Sequence, residues 1–368
     1  MNKDKVVGKF LDYVRIYSPS YGEAEFAGVL KADLESLGFT VYEDDAGEKA
    51  GSNSGNLIAH LKGDKDVDPV MFCAHMDTVT PCKNIEPVIE DGIIRSKGET
   101  ILSADDKAGI VAIIEGIRYI KENNIAHGDI EVVFTICEEV GLYGSKYLDY
   151  SKIKSKNAFI LDSGGPVGGV IVKGPSQAQI DAKFYGKAAH AGLSPEEGIS
   201  AIEMAAMAIH NMKLLRIDEE TTANVGTIKG GMATNIVADY AEVEFEARSL
   251  DSEKLKKQVK HMVYTLSMVE KDYKSKVEIE VRNEYPTFSI DEDAEILKIA
   301  EKAIEKTGVK YDTRSTGGGS DTNIFNGNGL NAVTLAIGMY KAHSVDEHIS
   351  VDDLIKSTEI VASIIESI

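Results

Sequence analysis

Four apolar runs in the first 175 residues, NLIAHLKG, PVMFCAHMD, IEVVFTICEE and NAFILDSGG, limit what this chain can become. Each is short enough for a strand, and helical patterns lie among them: VVGKFLDYVRIY, AEFAGVLKADLESLGF ending at Gly38, and the long DKAGIVAIIEGIRYIKENN. Strands this apolar are buried on both faces, so the pattern requires an α/β sheet with helices on both sides. The polar residues of interest fall at strand ends, where open sheets of this kind place their sites.

The texture changes near residue 176. QAQIDAKFYGKAAHAG reads as a strand, GISAIEMAAMAIHNMKLL as a helix, and TANVGTIKGG and YAEVEFEARSLD as strands. EKLKKQVKHMVYTLSMVEKDY is helical and KVEIEVRNEY a strand, which completes the split βαββαβ pattern of a ferredoxin-like α+β unit. Pro175 and Pro286 stand near its ends, where linkers belong. After it the first style resumes, with the helix AEILKIAEKAIEKTG, the buried strand NAVTLAIG and the closing helix VDDLIKSTEIVASIIES. The expected organisation is one α/β domain built from residues 1–175 and 289–368, with a smaller domain, 176–288, inserted. A chain of 368 residues is too long for one ordinary core, which agrees with two.

With 60 acidic against 40 basic residues, the net charge of -20 disfavours partners such as nucleic acid or anionic membrane surfaces. A composition 43% hydrophobic and 27% charged excludes a disordered chain. MNKDKVVGKFLDYVRIY mixes charges into its apolar residues and does not read as a signal peptide. No stretch approaches the roughly 20 apolar residues that span a bilayer. Cys73, Cys82 and Cys137 are too few, and odd in number, for a disulfide framework; a reducing compartment, the cytoplasm, is expected.

Five clusters carry candidate chemistry. His75 and Asp77 stand two apart at a strand end, on one side of it if alternation holds. They fit a metal-bound imidazole oriented by an acid, and equally a core histidine beside a turn aspartate. In SADDKAG, Asp105 and Asp106 precede a helix and suit either its cap or a carboxylate shared by two cations; spacing does not choose between them. In TICEEVGLYGS, Glu138 and Glu139 are neighbours, which on a strand face opposite ways. One acid then binds metal while the other takes a proton from water, or both simply favour a helix N-terminus. Asp162 in LDSGG is a ligand or a turn aspartate. In KAHSVDEHIS, His343 and His348 precede the last helix; Ser350 suits its cap and His348 reads as surface. All five close a strand or open a helix of one domain. Together they match the nitrogen and oxygen donors of an open hydrolytic zinc site with two ions sharing a carboxylate.

HMDTV, SADDKAG, EEVGLYGS, LDSGG, GKAAHAG, EARSLD and AHSVDEH, in this order, resemble the peptidase T branch of the dinuclear zinc exopeptidases, over essentially the whole chain. The resemblance implies a zinc-exopeptidase catalytic domain with a central mixed sheet flanked by helices, and an inserted lid and dimerisation domain. It implies that His75 and Asp162 hold one zinc, Glu139 and His343 the other, and that Asp105 bridges them beside a cis peptide to Asp106. Asp77 would orient His75, and Glu138 would be the general base on the water between the metals. From the inserted domain of a homodimer, His190 would bind the reacting carbonyl, coming from the partner subunit, and Asn235 and Arg248 would contact the substrate or its carboxylate. Gly319 lies in GGGSDTN, which like GGPVGG lacks the phosphate-loop lysine; it reads as a turn approaching bound substrate. The implied activity is a tripeptide aminopeptidase using two zinc ions, with cobalt or manganese as substitutes. A carboxypeptidase or N-acyl amino acid deacylase of the same clan would share the metal site. A silent peptide- or metal-binding relative would have no use for Glu138.

Overall fold

The helix Ala104–Glu122 is apolar on almost every face: Ile110, Val111, Ile113, Ile114, Ile117 and Ile120 are all fully buried. A helix of that kind must be enclosed. It lies between the closing helix Val351–Ser367 and the strands Val70–His75, Asn157–Gly164 and Asn331–Tyr340. The protein is described by a computed structural model over residues 1–368. Two units result: Met1–Val172 with Ser289–Ser315 and Ser320–Ile368, and Lys173–Phe288 with Thr316–Gly319.

At the centre of the first unit, Ile130–Thr135, Val70–His75, Asn157–Gly164 and Asn331–Tyr340 run side by side and parallel. Every residue of the first two is buried, as expected for strands covered on both faces. Antiparallel strands extend it into a mixed sheet: Leu57–Leu61 and Thr40–Glu43 on one side, His348–Ser350, Ile93–Ser96 and Pro87–Glu90 on the other, with Gly169–Gly174 also paired to Asn331–Tyr340. The sequence pattern misses Thr40–Glu43, Pro87–Glu90 and Ile93–Ser96, because four-residue strands on a sheet margin carry too little apolar periodicity to register.

Gly109 marks where the long helix meets the sheet. A Cβ there would lie 2.3 Å from the Leu161 carbonyl oxygen and 2.4 Å from Asp106 Oδ1. The Leu161 carbonyl cannot move without displacing its strand. We expect Gly109→Ala to destabilise by about 3 kcal/mol through overpacking, outweighing the roughly 1 kcal/mol that alanine contributes to a helix. Urea unfolding checks this; a variant as stable as the parent contradicts it.

The second unit is a single antiparallel sheet ordered Leu215–Arg216, Thr221–Gly230, Tyr240–Ser249, Ser176–Tyr185, Val277–Tyr285. Ser176–Tyr185 and Tyr240–Ser249 alternate buried and part-exposed residues, the mark of a sheet with one covered face. The helices Ala201–Asn211 and Ser252–Tyr273 cover it, enclosing Phe184, Met204, Phe245, Met262 and Leu266. Four residues that the sequence pattern puts with 289–368, Thr316–Gly319, cluster instead with this unit. Thr316 N donates to the Lys173 carbonyl at 3.0 Å, and Gly319 packs against the Tyr285 ring so closely that a Cβ would meet it at 2.1 Å.

Candidate metal centre

The four central parallel strands all point their carboxyl ends the same way, and each brings a polar residue there. His75 closes Val70–His75, Asp162 sits within Asn157–Gly164, Glu138 and Glu139 follow Ile130–Thr135, and His343 follows Asn331–Tyr340. Asp105 joins them from the start of the Ala104–Glu122 helix, where its φ of -81° and ψ of 106° are not helical and the peptide bond to Asp106 is cis. The Asp105 carboxylate does not cap the helix; its two oxygens face His75 and His343 instead.

The side chains meet. His75 Nε2 lies 3.0 Å from Asp105 Oδ1 and 3.8 Å from Asp162 Oδ1. His343 Nε2 lies 3.3 Å from Asp105 Oδ2 and 2.8 Å from Glu139 Oε2. Two sets result, His75–Asp105–Asp162 and Asp105–Glu139–His343, each with its ligand atoms within 4.8 Å of one another. Asp105 belongs to both and turns one oxygen to each histidine. All donors are nitrogen or carboxylate oxygen, and Glu139 Oε1 is buried without any hydrogen-bond donor. This set fits hard-to-borderline divalent cations such as zinc, cobalt or manganese.

The electrostatics express the same need for positive charge. Burial and the neighbouring Asp105 raise Asp162 well above the carboxylate range, and burial with Asp162 does the same for Glu138. Burial also raises Glu139, against the lowering bond from His343. Burial pulls the His75 imidazolium down, but Asp105, Asp77, Asp162 and Glu138 together hold it well above its ordinary value. Bonds to Asp105 and Glu139 raise His343 to about 10. Only Asp105 is lowered, because the two histidines outweigh its burial.

The structure departs from strand alternation at two places. Asp77 lies beyond the end of the strand, and it is its backbone carbonyl, at 2.8 Å, that accepts from His75 Nδ1; its carboxylate Oδ1 is 3.6 Å away. The Asp77 carboxylate instead accepts from Glu138 N at 2.9 Å, Glu139 N at 3.3 Å and Ser20 Oγ at 2.6 Å. Glu138 and Glu139 are likewise not strand residues. The strand ends at Thr135, and Cys137 turns the chain with a φ of 49°. Buried Glu23 accepts from Cys137 N at 3.0 Å, so two carboxylates hold three consecutive N–H groups of the acidic turn.

Glu23 and Glu347 escaped the sequence reading. Glu347 is fully buried four residues after His343 and accepts from the backbone of Leu102, Ser103 and Asp105. Burial raises its carboxyl to about 7 despite those bonds. Its place inside AHSVDEH, between two histidines, was the available signal. His348 is not among the converging residues; it stacks on Tyr340, and Ser350 caps the last helix through Asp353 N.

His190, Asn235, Arg248 and Gly319 belong to the second unit and form two separate pairs. Ala191 N donates to the Asn235 carbonyl, and His190 is bridged to Ile236, beyond the sheet end where Tyr185 faces Tyr240. Arg248 faces Gln177 at the other end, beside Tyr285 and the Gly319 turn. Eight residues of strand separate the ends, about 26 Å. Arg248 is engaged by Glu246, with its two closest contacts at 2.9 and 3.2 Å.

Comparison with known proteins agrees with this architecture. The chain is similar to the aminopeptidase PepT of Bacillus cereus, 44% identical with a TM-score of 0.92 over 100% of this chain and 99% of that one. It is similar to a tripeptidase of Staphylococcus aureus, 39% identical with a TM-score of 0.96 over 100% and 98%. Peptidase T of Shouchella clausii is 27% identical over 408 residues, covering 98% of each chain. Residues 71–367, which hold every residue of the two ligand sets, match the profile of Peptidase family M20/M25/M40. A profile match over most of the length, on a fold that gathers those residues at the ends of its parallel strands, makes this chain a member of peptidase family M20/M25/M40.

Proposed function

We propose that this protein is a dinuclear metallo-aminopeptidase that removes the N-terminal residue of tripeptides and similar short peptides. The observation that carries the reading is the pair of ligand sets sharing Asp105, with the Glu138 carboxylate on a tightly held turn beside them. The relatives called aminopeptidase and tripeptidase, alike over the full chain, support the substrate class. His75 and Asp162 would hold one zinc, Glu139 and His343 the other, and Asp105 both. Such a pair polarises the scissile carbonyl and makes water acidic enough to attack near neutral pH. A carboxylate oxygen of Glu138 takes the proton that the attacking water loses and returns it to the leaving amine as the C–N bond breaks.

Substrate contacts by His190, Asn235 and Arg248 rest on the family resemblance, and that of Gly319 on its place in a glycine-rich turn. An extended tripeptide spans only about 10 Å, far less than the distance between the two pairs. One substrate therefore cannot touch both pairs of a single subunit, which supports a homodimer in which His190 and Asn235 serve the partner's site. The sheet edge supports it too: the outer side of Asn224–Gly230 has no ladder partner, and Ile228 within it and Met232 just past its end are 51% and 89% exposed. Such an edge and apolar patch call for a protein partner. We expect a dimer by analytical ultracentrifugation, and a His190→Ala variant with kcat reduced by roughly 10²–10³ but still dimeric. A monomer with full activity contradicts both.

The free thiols of Cys73, Cys82 and Cys137, all buried, suit a cytoplasmic protein; no helix is long and apolar enough to cross a membrane. A panel of tripeptides, dipeptides and N-blocked amino acids tests the proposal. Cleavage of tripeptides with a free amino group is expected; cleavage of N-blocked substrates alone would make it a deacylase.

A further inference from the structure

The segment from Leu102 to Asp106 has an unusual backbone. Ser103 has a φ of 62°, Asp105 is non-helical, and the next peptide is cis. Neither a strand ladder nor a helix supplies acceptors for the N–H groups of Leu102, Ser103 and Asp105, and buried N–H groups need them. One side chain meets the need. Glu347 Oε2 accepts from Leu102 N and Ser103 N, each at 2.8 Å, and Oε1 accepts from Asp105 N at 2.9 Å. Only a carboxylate offers two oxygens with several lone pairs and no donor of its own. Glutamine would turn an NH2 group toward at least one of these N–H groups.

Glu347 also belongs to the turn that carries His343, closed by Glu347 N donating to the Ser344 carbonyl at 3.1 Å. A single buried carboxylate thus joins the loop bearing His343 to the loop bearing the shared ligand Asp105. We propose that Glu347 is a positioning residue that sets the affinity of both metal sites at once, by clamping Asp105 between them. This rests on the dinuclear reading above. Because Asp105 belongs to both ligand sets, loosening it weakens both, whereas loss of an ordinary ligand weakens one.

The test is zinc titration of the stripped full chain against a chromophoric chelator, for the parent, Glu347→Gln and Glu347→Asp. The parent is expected to take up two ions. Glu347→Gln is expected to weaken both sites by about 10–100-fold, and Glu347→Asp, one methylene too short to reach all three N–H groups, by less. Melting temperatures provide a second reading: the rise produced by a fixed zinc concentration should shrink in the variants, whatever the melting temperature of their stripped forms. A merely structural role would lower stripped and loaded forms equally and leave both affinities within twofold of the parent; that result overturns the proposal. So does a loss confined to one ion. If Glu347→Gln does not fold, Glu347→Asp carries the same comparison. A parent that fails to bind two ions overturns the dinuclear reading itself.

Discussion

Glu138→Gln is expected to lower kcat on a tripeptide by about 10²–10⁴ while zinc content stays at two ions per chain. Glutamine fills the same space and can accept a hydrogen bond, but it cannot take and return a proton. Glu138 stands in neither ligand set, so its loss removes no donor. It also removes one of several crowded negative charges, since Asp162, Asp321 and Glu139 all press on the Glu138 carboxyl. The neighbouring substitution separates the two acids: Glu139→Gln replaces a donor beside His343 and should cost one ion as well as turnover. Kinetics together with metal analysis on both variants checks the assignment. Turnover of Glu138→Gln within a few-fold of the parent would remove Glu138 as the base.

The second large effect is on stability. In the metal-free protein, Glu347 and His343 both have folded values above their unfolded ones, about 7 and about 10. The folded chain then binds more protons than the unfolded chain, so stability falls as pH rises. For Glu347 the contribution is present below its ordinary value of 4.5 and lost as pH rises through about 7. A shift of that size in a fully buried group is worth about 3 kcal/mol. His343 acts in the same direction, starting to lose its contribution above its ordinary value of 6.5 and losing the rest as pH rises through about 10. Asp105 acts oppositely, but below the ordinary carboxylate range. Stripped protein should therefore be less stable at pH 8 than at pH 5, with Glu347 alone accounting for about 3 kcal/mol of the loss. Loaded protein should show the reverse trend in metal affinity, because ligands must release protons to bind. Urea unfolding of stripped and reloaded samples at both pH values checks this. Stripped protein that gains stability toward pH 8 contradicts it.

How far the sequence alone reaches differs from residue to residue, for physical reasons. His75 and Asp162 are legible because long apolar runs stop at them, and a buried strand can end on a polar residue only where something compensates it. Glu139 and His343 are legible for the same reason, one turn beyond their strands. The choice between Asp105 and Asp106 is not legible: both precede the same helix, and the backbone that separates their roles has no signature in residue type. The side-chain directions expected at Asp77 and at the Glu138–Glu139 pair assumed that strand alternation continues past the last strand residue. It stops at His75 and at Thr135. Glu23 and Glu347 escape because their partners are backbone N–H groups, which every residue offers and no motif records. The βαββαβ order of the second unit was readable from alternation, but the capture of Thr316–Gly319 by that unit depends on a glycine fitting under Tyr285.

Anomalous X-ray scattering from zinc-loaded crystals measures directly whether two cations meet at one shared carboxylate. Two peaks about 3.5–4 Å apart, with an oxygen of Asp105 bound to each, is the predicted result. A single peak, or two peaks of which Asp105 touches only one, would contradict it.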